Sequence, residues 1–297
     1  MCLVALGLDQ SRRFPLVIAS NRDEFFARPT SPLAWWSPRR GAPPVLGGRD
    51  LDSGGTWLGL TAAGRLAMLT NVRGAGPADA TAPSRGSIVS DWLSRAETTA
   101  RFRTRTARSN YNGFNLIAAD FVQGECFWAT NSRAPHRRLT RGIYGLSNGT
   151  LDAPWPKVTA LKRRLGTATQ VATSVDDLAS RLFTALGDRS IASDAALPQT
   201  GIPVERERQL SPAFILTPDG RYGTRCSTII ITERVGARSV THVLERSFDA
   251  GGTPGSQRRV ALRNWPPRSI DARFAGACEH VLAAAMAPAI AQSSQGT

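Results

Sequence analysis

Position 2 of the chain is a cysteine, directly behind the initiator methionine. Its side chain is small enough for Met1 to be removed, so the mature protein is expected to begin at Cys2. One residue then carries a thiol and a free α-amine. The reference pKa values of such groups are about 8.5 and about 7.7–8.0, a range in which each can be partly deprotonated near neutrality. A nucleophile and a base on the same residue are what N-terminal nucleophilic catalysis requires. The bland alternative is a small buried apolar residue, and the rest of the chain has to decide between them.

Further polar residues stand where strands end. Ser20-Asn21-Arg22-Asp23-Glu24 follows the apolar run Leu16–Ala19 and precedes Phe25-Phe26. Side chains of this kind entering an apolar environment need partners, supplied by one another, by a site, or by a salt-bridged surface. Asn71 ends an apolar run at Arg65–Thr70, and Asn148 follows Tyr144–Ser147. An amide at a strand end can donate to a developing oxyanion, and it also serves as an ordinary turn residue. The three histidines, His136, His242 and His280, lie in a basic loop, a strand and an alanine-rich helical segment, without a local nucleophile motif. Asp50-Leu51-Asp52 reads as a solvated turn rather than a metal ligand pair. No phosphate-binding fingerprint is present.

The four cysteines, Cys2, Cys126, Cys226 and Cys278, are widely spaced, which argues against a zinc site or a disulfide framework. The chain is basic, with a net charge of +14, yet only Lys157 and Lys162 are lysines and the arginines are scattered. That pattern fits a small acidic ligand in a local pocket better than nucleic acid. The apolar stretch after Cys2 is too short for a signal peptide. No apolar run reaches the length of a membrane span, so no stable membrane insertion is expected. The reading is a cytoplasmic protein with reduced thiols.

The elements that must position these residues follow from periodicity. Leu3–Leu8 and Pro15–Ser20 read as two buried strands, which sets Cys2 at the head of the first beside the end of the second. Trp35–Gly55, rich in Pro and Gly, reads as loop. Thr56–Thr61 and Arg65–Thr70 read as a hairpin, and Ser84 as the cap of a helix through Leu93. Strands are expected at Asn115–Asp120, Glu125–Ala129, Gly142–Leu146, Ala213–Thr217, Ser227–Glu233 and Ser239–Glu245. Trp155–Leu165 and Asp176–Leu186 have helical spacing, Pro198–Ser211 reads as polar loop, and 289–297 as a disordered tail. Hairpins with inserted helices and no long linker indicate one α+β domain over residues 1–288.

Taken in order, Cys2, Asn21-Arg22-Asp23-Glu24, Thr56–Leu60, Leu69-Thr70-Asn71-Val72-Arg73, Ser84-Arg85-Gly86, Gly113–Leu116, Gly145–Asn148, Pro154-Trp155-Pro156-Lys157-Val158, Leu210–Ile215 and Tyr222–Arg225 resemble the transport-and-Golgi-organisation family, also named for its Asn-Arg-Asp-Glu motif. That family is similar to the N-terminal nucleophile hydrolases of the choloylglycine hydrolase and penicillin V acylase branch. The resemblance implies a four-layer αββα sandwich of two mostly antiparallel sheets flanked by helices. It implies Cys2 as nucleophile with its own amine as base, Asn71 and Asn148 at the oxyanion, and Arg22, Asp23 and Arg225 beside them. Asn21, Glu24 and Arg73 are expected to contact the substrate, an amide or thioester acyl compound, with no cofactor required and no metal. It also implies an alternative, a carrier of haem or of lipid or acyl-coenzyme A ligands, with Cys2 as a haem ligand and Arg22, Arg73 and Arg225 on propionates or phosphates. One departure is visible. The amidases separate their Arg and Asp by three positions, whereas Arg22 and Asp23 are adjacent and face opposite sides of a regular strand. A bulge re-aims them, or Asn21 and Glu24 take their place, or the machinery is incomplete.

Overall fold

The computed structural model describes residues 2–74, 78–95, 97–107, 109–132 and 136–267. Strands β1 (Cys2–Leu8) and β2 (Leu16–Phe25) form the first hairpin. They are followed by β3 (Thr30–Trp36), β4 (Val45–Asp50), β5 (Leu58–Thr61) and β6 (Arg65–Asn71), then helices α1 (Gly86–Ser94) and α2 (Thr99–Ala107). Next come β7 (Phe114–Asp120), β8 (Glu125–Thr130), β9 (Arg137–Arg138) and β10 (Gly142–Leu146), then α3 (Pro156–Val171), α4 (Val175–Leu186) and α5 (Val204–Gln209). Three long strands close the order: β11 (Tyr222–Val235), β12 (Arg238–Phe248) and β13 (Pro254–Arg263).

Two antiparallel sheets result. The first has the order β10-β1-β2-β11-β12-β13 and the second β3-β4-β5-β6-β7-β8-β9. Three apolar layers hold them. Val4, Leu6, Ile18, Ile230 and Val243 from the first sheet meet Leu46, Leu60, Met68 and Ile117 from the second. Leu3, Ala5, Val17 and Ala19 face the other way, onto Leu161, Leu165 and Leu182 of α3 and α4. Ile88, Val89, Trp92 and Phe102 of α1 and α2 cover the outer face of the second sheet. The architecture is the expected αββα sandwich, and it explains the unbroken apolar runs of β1 and β2. A strand covered on both faces has no solvent side on which to alternate.

Local signals fix the helix ends beside the core. The Ser174 side chain accepts from the Asp177 N–H, and Asp176 and Asp177 occupy the first turn of α4, where a negative charge complements the helix dipole. Pro156 starts α3, where its missing N–H costs nothing. Ser84 does not cap α1: Arg85 stands at that position without a side-chain cap bond.

Several sequence expectations are corrected. Trp35–Gly55 is not loop but contains the end of β3 and all of β4, because Val45 and Leu46 turn into two different cores. Ala213–Thr217 makes only an isolated bridge, Leu216 to Gly223. The polar stretch Pro198–Ser211 contains α5, whose Glu207 is buried. Helix α2 and strand β13 carry too little apolar periodicity to be read in advance; β13 is mostly exposed. Cys278, His280 and the tail 289–297 lie outside the described residues. None of the described helices is long and apolar enough to cross a membrane.

Candidate active site

β1 and β2 pair in unbroken register, with Cys2 opposite Arg22, Leu3 opposite Asn21 and Val4 opposite Ser20. The adjacency of Arg22 and Asp23 therefore has its simple consequence: the two side chains leave opposite faces of β2. Arg22 reaches the second sheet. Its guanidinium bonds Thr30 Oγ1 at 3.2 Å and Asp50 Oδ2 at 3.3 Å, and lies over the Trp57 ring at 4.3 Å from the centroid. Asp23 faces the helix side, where Thr224 Oγ1 donates to Oδ1 at 2.8 Å. A bulge exists, but in the partner strand: between Thr224 and Cys226 the β2–β11 register shifts, leaving Arg225 as the extra residue.

Both Arg22 and Asp23 nevertheless line one cleft of about 660 Å³, at the end where β2 continues beyond its last β1 pairing, Cys2 with Arg22. Glu24, Trp57, Asn71, Arg206 and Tyr222 share its walls. Asn71 terminates β6, and its position is set by Asn148, whose Nδ2 donates to the Asn71 carbonyl at 2.8 Å. The Arg73 N–H donates to the Asn148 carbonyl at 2.8 Å. The two asparagines thus tie the end of one sheet to the end of the other. Asn71 lines the cleft, while Asn148, buried and absent from its lining, commits part of its amide to holding Asn71.

Close backbone approaches make the wall. A Cβ on Gly48 would come within 2.3 Å of the Trp57 ring, so only glycine lets this ring lie flat beneath Arg22. A Cβ on Gly55 would come within 2.6 Å of the Gly86 backbone, so the same economy brings the start of α1 to the cleft.

Electrostatics differ sharply around the cleft. Burial pushes Asp23 above the usual carboxylate range, opposed first by the charge of Lys157. Burial also pushes Asp50 upward, but hydrogen bonds from Arg28 and the Ser53 N–H, with the charges of Arg28 and Arg22, hold it below the usual value. Asp50 is therefore the anion that fixes two arginines, Arg22 and Arg28, the latter at 2.6 Å.

The other expected site residues lie elsewhere. Asn21 is fully buried on the helix side, donating to the Leu186 and Ala213 carbonyls at 2.9 and 2.8 Å and accepting from Ser227 at 2.6 Å. It is an internal fastener between β2 and the helix layer and does not line the cleft, which corrects the expectation of a substrate contact. Glu24 lies at the cleft, 3.9 Å from Arg22. Arg73 pairs with Glu207 in a buried ion pair and stacks on Trp155, away from the cleft lining. Arg225 donates to the Phe25 and Arg28 carbonyls at 2.9 Å each, so it braces the turn after β2 rather than facing the cleft. Burial, with the neighbouring charge of Arg22, lowers its pKa. Cys226 is buried between the sheets, hydrogen-bonded to Glu245. Cys126 is buried in β8, its thiol pushed up to about 12 by burial. Among the described residues no three potential metal-ligating side chains stand together.

Sequence reading missed Asp50, Trp57, Arg28 and Tyr222 as parts of the site. Trp57 and Tyr222 lay within quoted motifs, but their roles depend on the second sheet and on β11. For Asp50 the only signal was an acid in a turn.

A family model described as Transport and Golgi organisation 2 matches residues 1–250. The Transport and Golgi organization 2 homolog of Mus musculus is 30% identical over 268 residues, covering 84% of this chain and 93% of its own length. The Homo sapiens homolog is 31% identical over 268 residues, with the same coverage of 84% and 93%. Two solved structures align at lower similarity. A mutant conjugated bile acid hydrolase from Clostridium perfringens does so with a TM-score of 0.48 and 7% identity, covering 91% of this chain and 94% of its own. A Caenorhabditis elegans ortholog of N-acylethanolamine-hydrolyzing acid amidase does so with a TM-score of 0.44 and 12% identity, covering 77% and 92%.

Proposed function

This chain belongs to the Transport and Golgi organisation 2 family, and from that premise we propose that it is an amide or thioester hydrolase, or acyl transferase, with Cys2 as its nucleophile. The observation that carries the reading is the convergence on one cleft of Arg22, Asp23 and Asn71, at the end of the strand pair whose register sets Cys2 opposite Arg22. A guanidinium beside a thiol favours the thiolate. Arg22 is suited to that task because Asp50, Thr30 and Trp57 hold it in one place.

In the proposed reaction Met1 has been removed and the Cys2 α-amine takes the thiol proton. The sulfur attacks the substrate carbonyl, forming a carbon–sulfur bond while the carbonyl π pair moves to oxygen. The Asn71 amide donates to that oxyanion. Collapse expels the amine or thiol leaving group, which receives the proton from the α-ammonium. Water, or an acceptor nucleophile, then attacks the thioester and releases the acyl group, returning the proton to sulfur.

Two results test this. The intact mass of the purified protein should be that of a chain beginning at Cys2; a retained Met1 blocks the amine in a peptide bond and removes the base. In a screen of amides and thioesters, Cys2→Ser should keep the fold and lose most turnover, and Asn71→Ala should lose about 10²–10³ in rate, the usual effect of one oxyanion donor. Full turnover by Cys2→Ser would sink the mechanism.

A second reading is favoured by the arginines of the same cleft, Arg22, Arg28, Arg85 and Arg206. Guanidinium groups suit carboxylate and phosphate ligands, so a carrier of an anionic ligand, haem among them, is the alternative. Haem titration followed in the Soret band separates the two: a 1:1 shift lost in Cys2→Ala supports the carrier.

A further inference from the structure

Helix α5 reads Val204-Glu205-Arg206-Glu207-Arg208-Gln209, and three of its four charged residues are spent on ionic partners. Glu205 and Arg208 pair at 3.5 Å, and Arg208 also holds Asp194 at 2.5 Å. Glu207 pairs with Arg73. Arg206 differs. One N–H of its guanidinium donates to the Gln209 amide oxygen at 3.0 Å, and among the described residues no carboxylate pairs with it. Asp219, on which its charge also acts, is committed to Thr217 Oγ1 at 2.6 Å and the Arg221 N–H at 3.1 Å. An unpaired arginine in open solvent is ordinary, but Arg206 is half-buried and lines the cleft. It lies over the Tyr222 ring, 5.5 Å from the centroid, and Phe25 packs edge-on against the same ring at 5.1 Å. The aromatic stack and the Gln209 bond together hold the guanidinium in one place.

The other arginines of the lining are engaged. Arg22 and Arg28 meet at Asp50, and Arg85 donates to the Gly113 carbonyl at 3.2 Å. The acids of the lining are engaged as well. Asp50 fixes those two arginines, Glu24 accepts from the Phe25 N–H at 2.9 Å and lies 3.9 Å from Arg22, and Asp23 accepts from Thr224. A guanidinium offers five N–H donors in a planar fork that matches two oxygens of one carboxylate or phosphate. Arg206 spends one of them on a neutral amide. We propose that Arg206 is the specificity-determining residue of this cleft: its guanidinium takes a carboxylate or phosphate group carried by the ligand. The assignment rests on the reading of this cleft as the substrate site, and it narrows the substrate class to amides or thioesters that bear an anionic group. Arg22, fixed by Asp50, is then left to the Cys2 thiol, and the charge of the ligand has a cation of its own.

Calorimetric titration of the full chain carrying Cys2→Ser, so that turnover does not enter, measures the preference directly. The probes are hexanoate, hexyl phosphate and the neutral hexanamide. At least one anion is expected to bind about 10–100-fold more tightly than hexanamide, the usual worth of a charge-assisted hydrogen bond. The tighter of the two anions tells whether the cation takes a carboxylate or a phosphate. Arg206→Gln should bring all three probes to similar affinity, and Arg206→Lys, a point charge without the fork, should keep only part of the preference. Equal or absent binding of the three probes overturns the proposal, and so does an anion preference that survives Arg206→Gln. A second measurement needs no variant. Modification of Arg206 by phenylglyoxal, read by peptide mass, should slow in the presence of the preferred anion and not of hexanamide; an unchanged rate overturns the assignment. Failure of the hydrolase reading looks different. An Arg206-dependent preference with no turnover of any amide or thioester by the wild type retains Arg206 and counts against Cys2 chemistry. Turnover by the wild type without any anion preference retains the chemistry and overturns the role of Arg206.

Discussion

Asp23 and Glu245 are both buried carboxylates of the first sheet, on β2 and β12, and burial pushes both above the usual range. Their surroundings differ in kind. Glu245 lies between the sheets and is met by the Leu33 N–H at 2.6 Å, Thr228 Oγ1 at 3.2 Å and the Cys226 thiol, with the charge of Arg258 also acting on it. The Leu33 carbonyl accepts from Arg258 of β13 at 3.0 Å, so both backbone groups of Leu33 are drawn across to the first sheet. The β3–β4 register shifts at this point, between Ser31 and Ala34, where Pro32 has no N–H for the ladder. Glu245 is a clasp. Asp23 instead lines the cleft, where Thr224 Oγ1 donates to its carboxylate at 2.8 Å and the charge of Lys157 opposes the effect of its burial. A carboxylate that bonds across two sheets fastens them, whereas one that lines a cleft borders the proposed site.

The sharpest contrast is thermodynamic. Near the cleft, Glu207→Gln breaks the buried pair with Arg73 and leaves an uncompensated cation, which is expected to cost about 3–5 kcal/mol in urea unfolding. A loss below about 1 kcal/mol would show that this charge network is not what holds α5. Glu245→Ala removes the acceptor for a buried N–H and leaves a void, at about 2–4 kcal/mol. It should leave the pH profile of Cys2 alkylation untouched, and a shift of that profile would erase the distinction between clasp and site.

The smallest effect concerns pH. Because the folded-state pKa of Glu245 is raised, the folded protein binds its proton more tightly than the unfolded chain. The contribution of Glu245 to stability is therefore greatest below the ordinary value of 4.5 and falls as pH rises from there through the raised folded-state value. Glu245→Gln carries no such proton and should flatten this decline, with a change of about 1 kcal/mol or less at low pH. The lowered carboxylates, such as Asp50, act in a separate window: their contribution is lost as pH falls below 3.8. An unflattened slope in Glu245→Gln would assign the decline to Asp23 alone.

Much of the frame was legible in the chain. The apolar runs of β1 and β2, the hairpin of β5 and β6 and the spacing of α3 and α4 are local patterns, and each forms where its pattern indicates. The Ser174 cap is likewise a local bond. Strand β4 was not legible, since Gly47 and Gly48 read as loop until Trp57 and the β5 backbone pack against them. Helix α5 was hidden because Glu207 looks like surface charge until Arg73 buries it.

The sequence by itself determined which chemical groups exist, their order, and the adjacency of Arg22 and Asp23, which on a regular strand sends the two side chains to opposite faces. Only the tertiary structure decided what each group faces. It sent Arg22 to Asp50 and Trp57, Asp23 onto Thr224, Asn21 into the helix layer and Arg225 onto a turn. These partners lie tens to hundreds of positions apart in the chain. What selects among them is the cost of burying a charge or an amide without a partner, which exists only once the layers have closed.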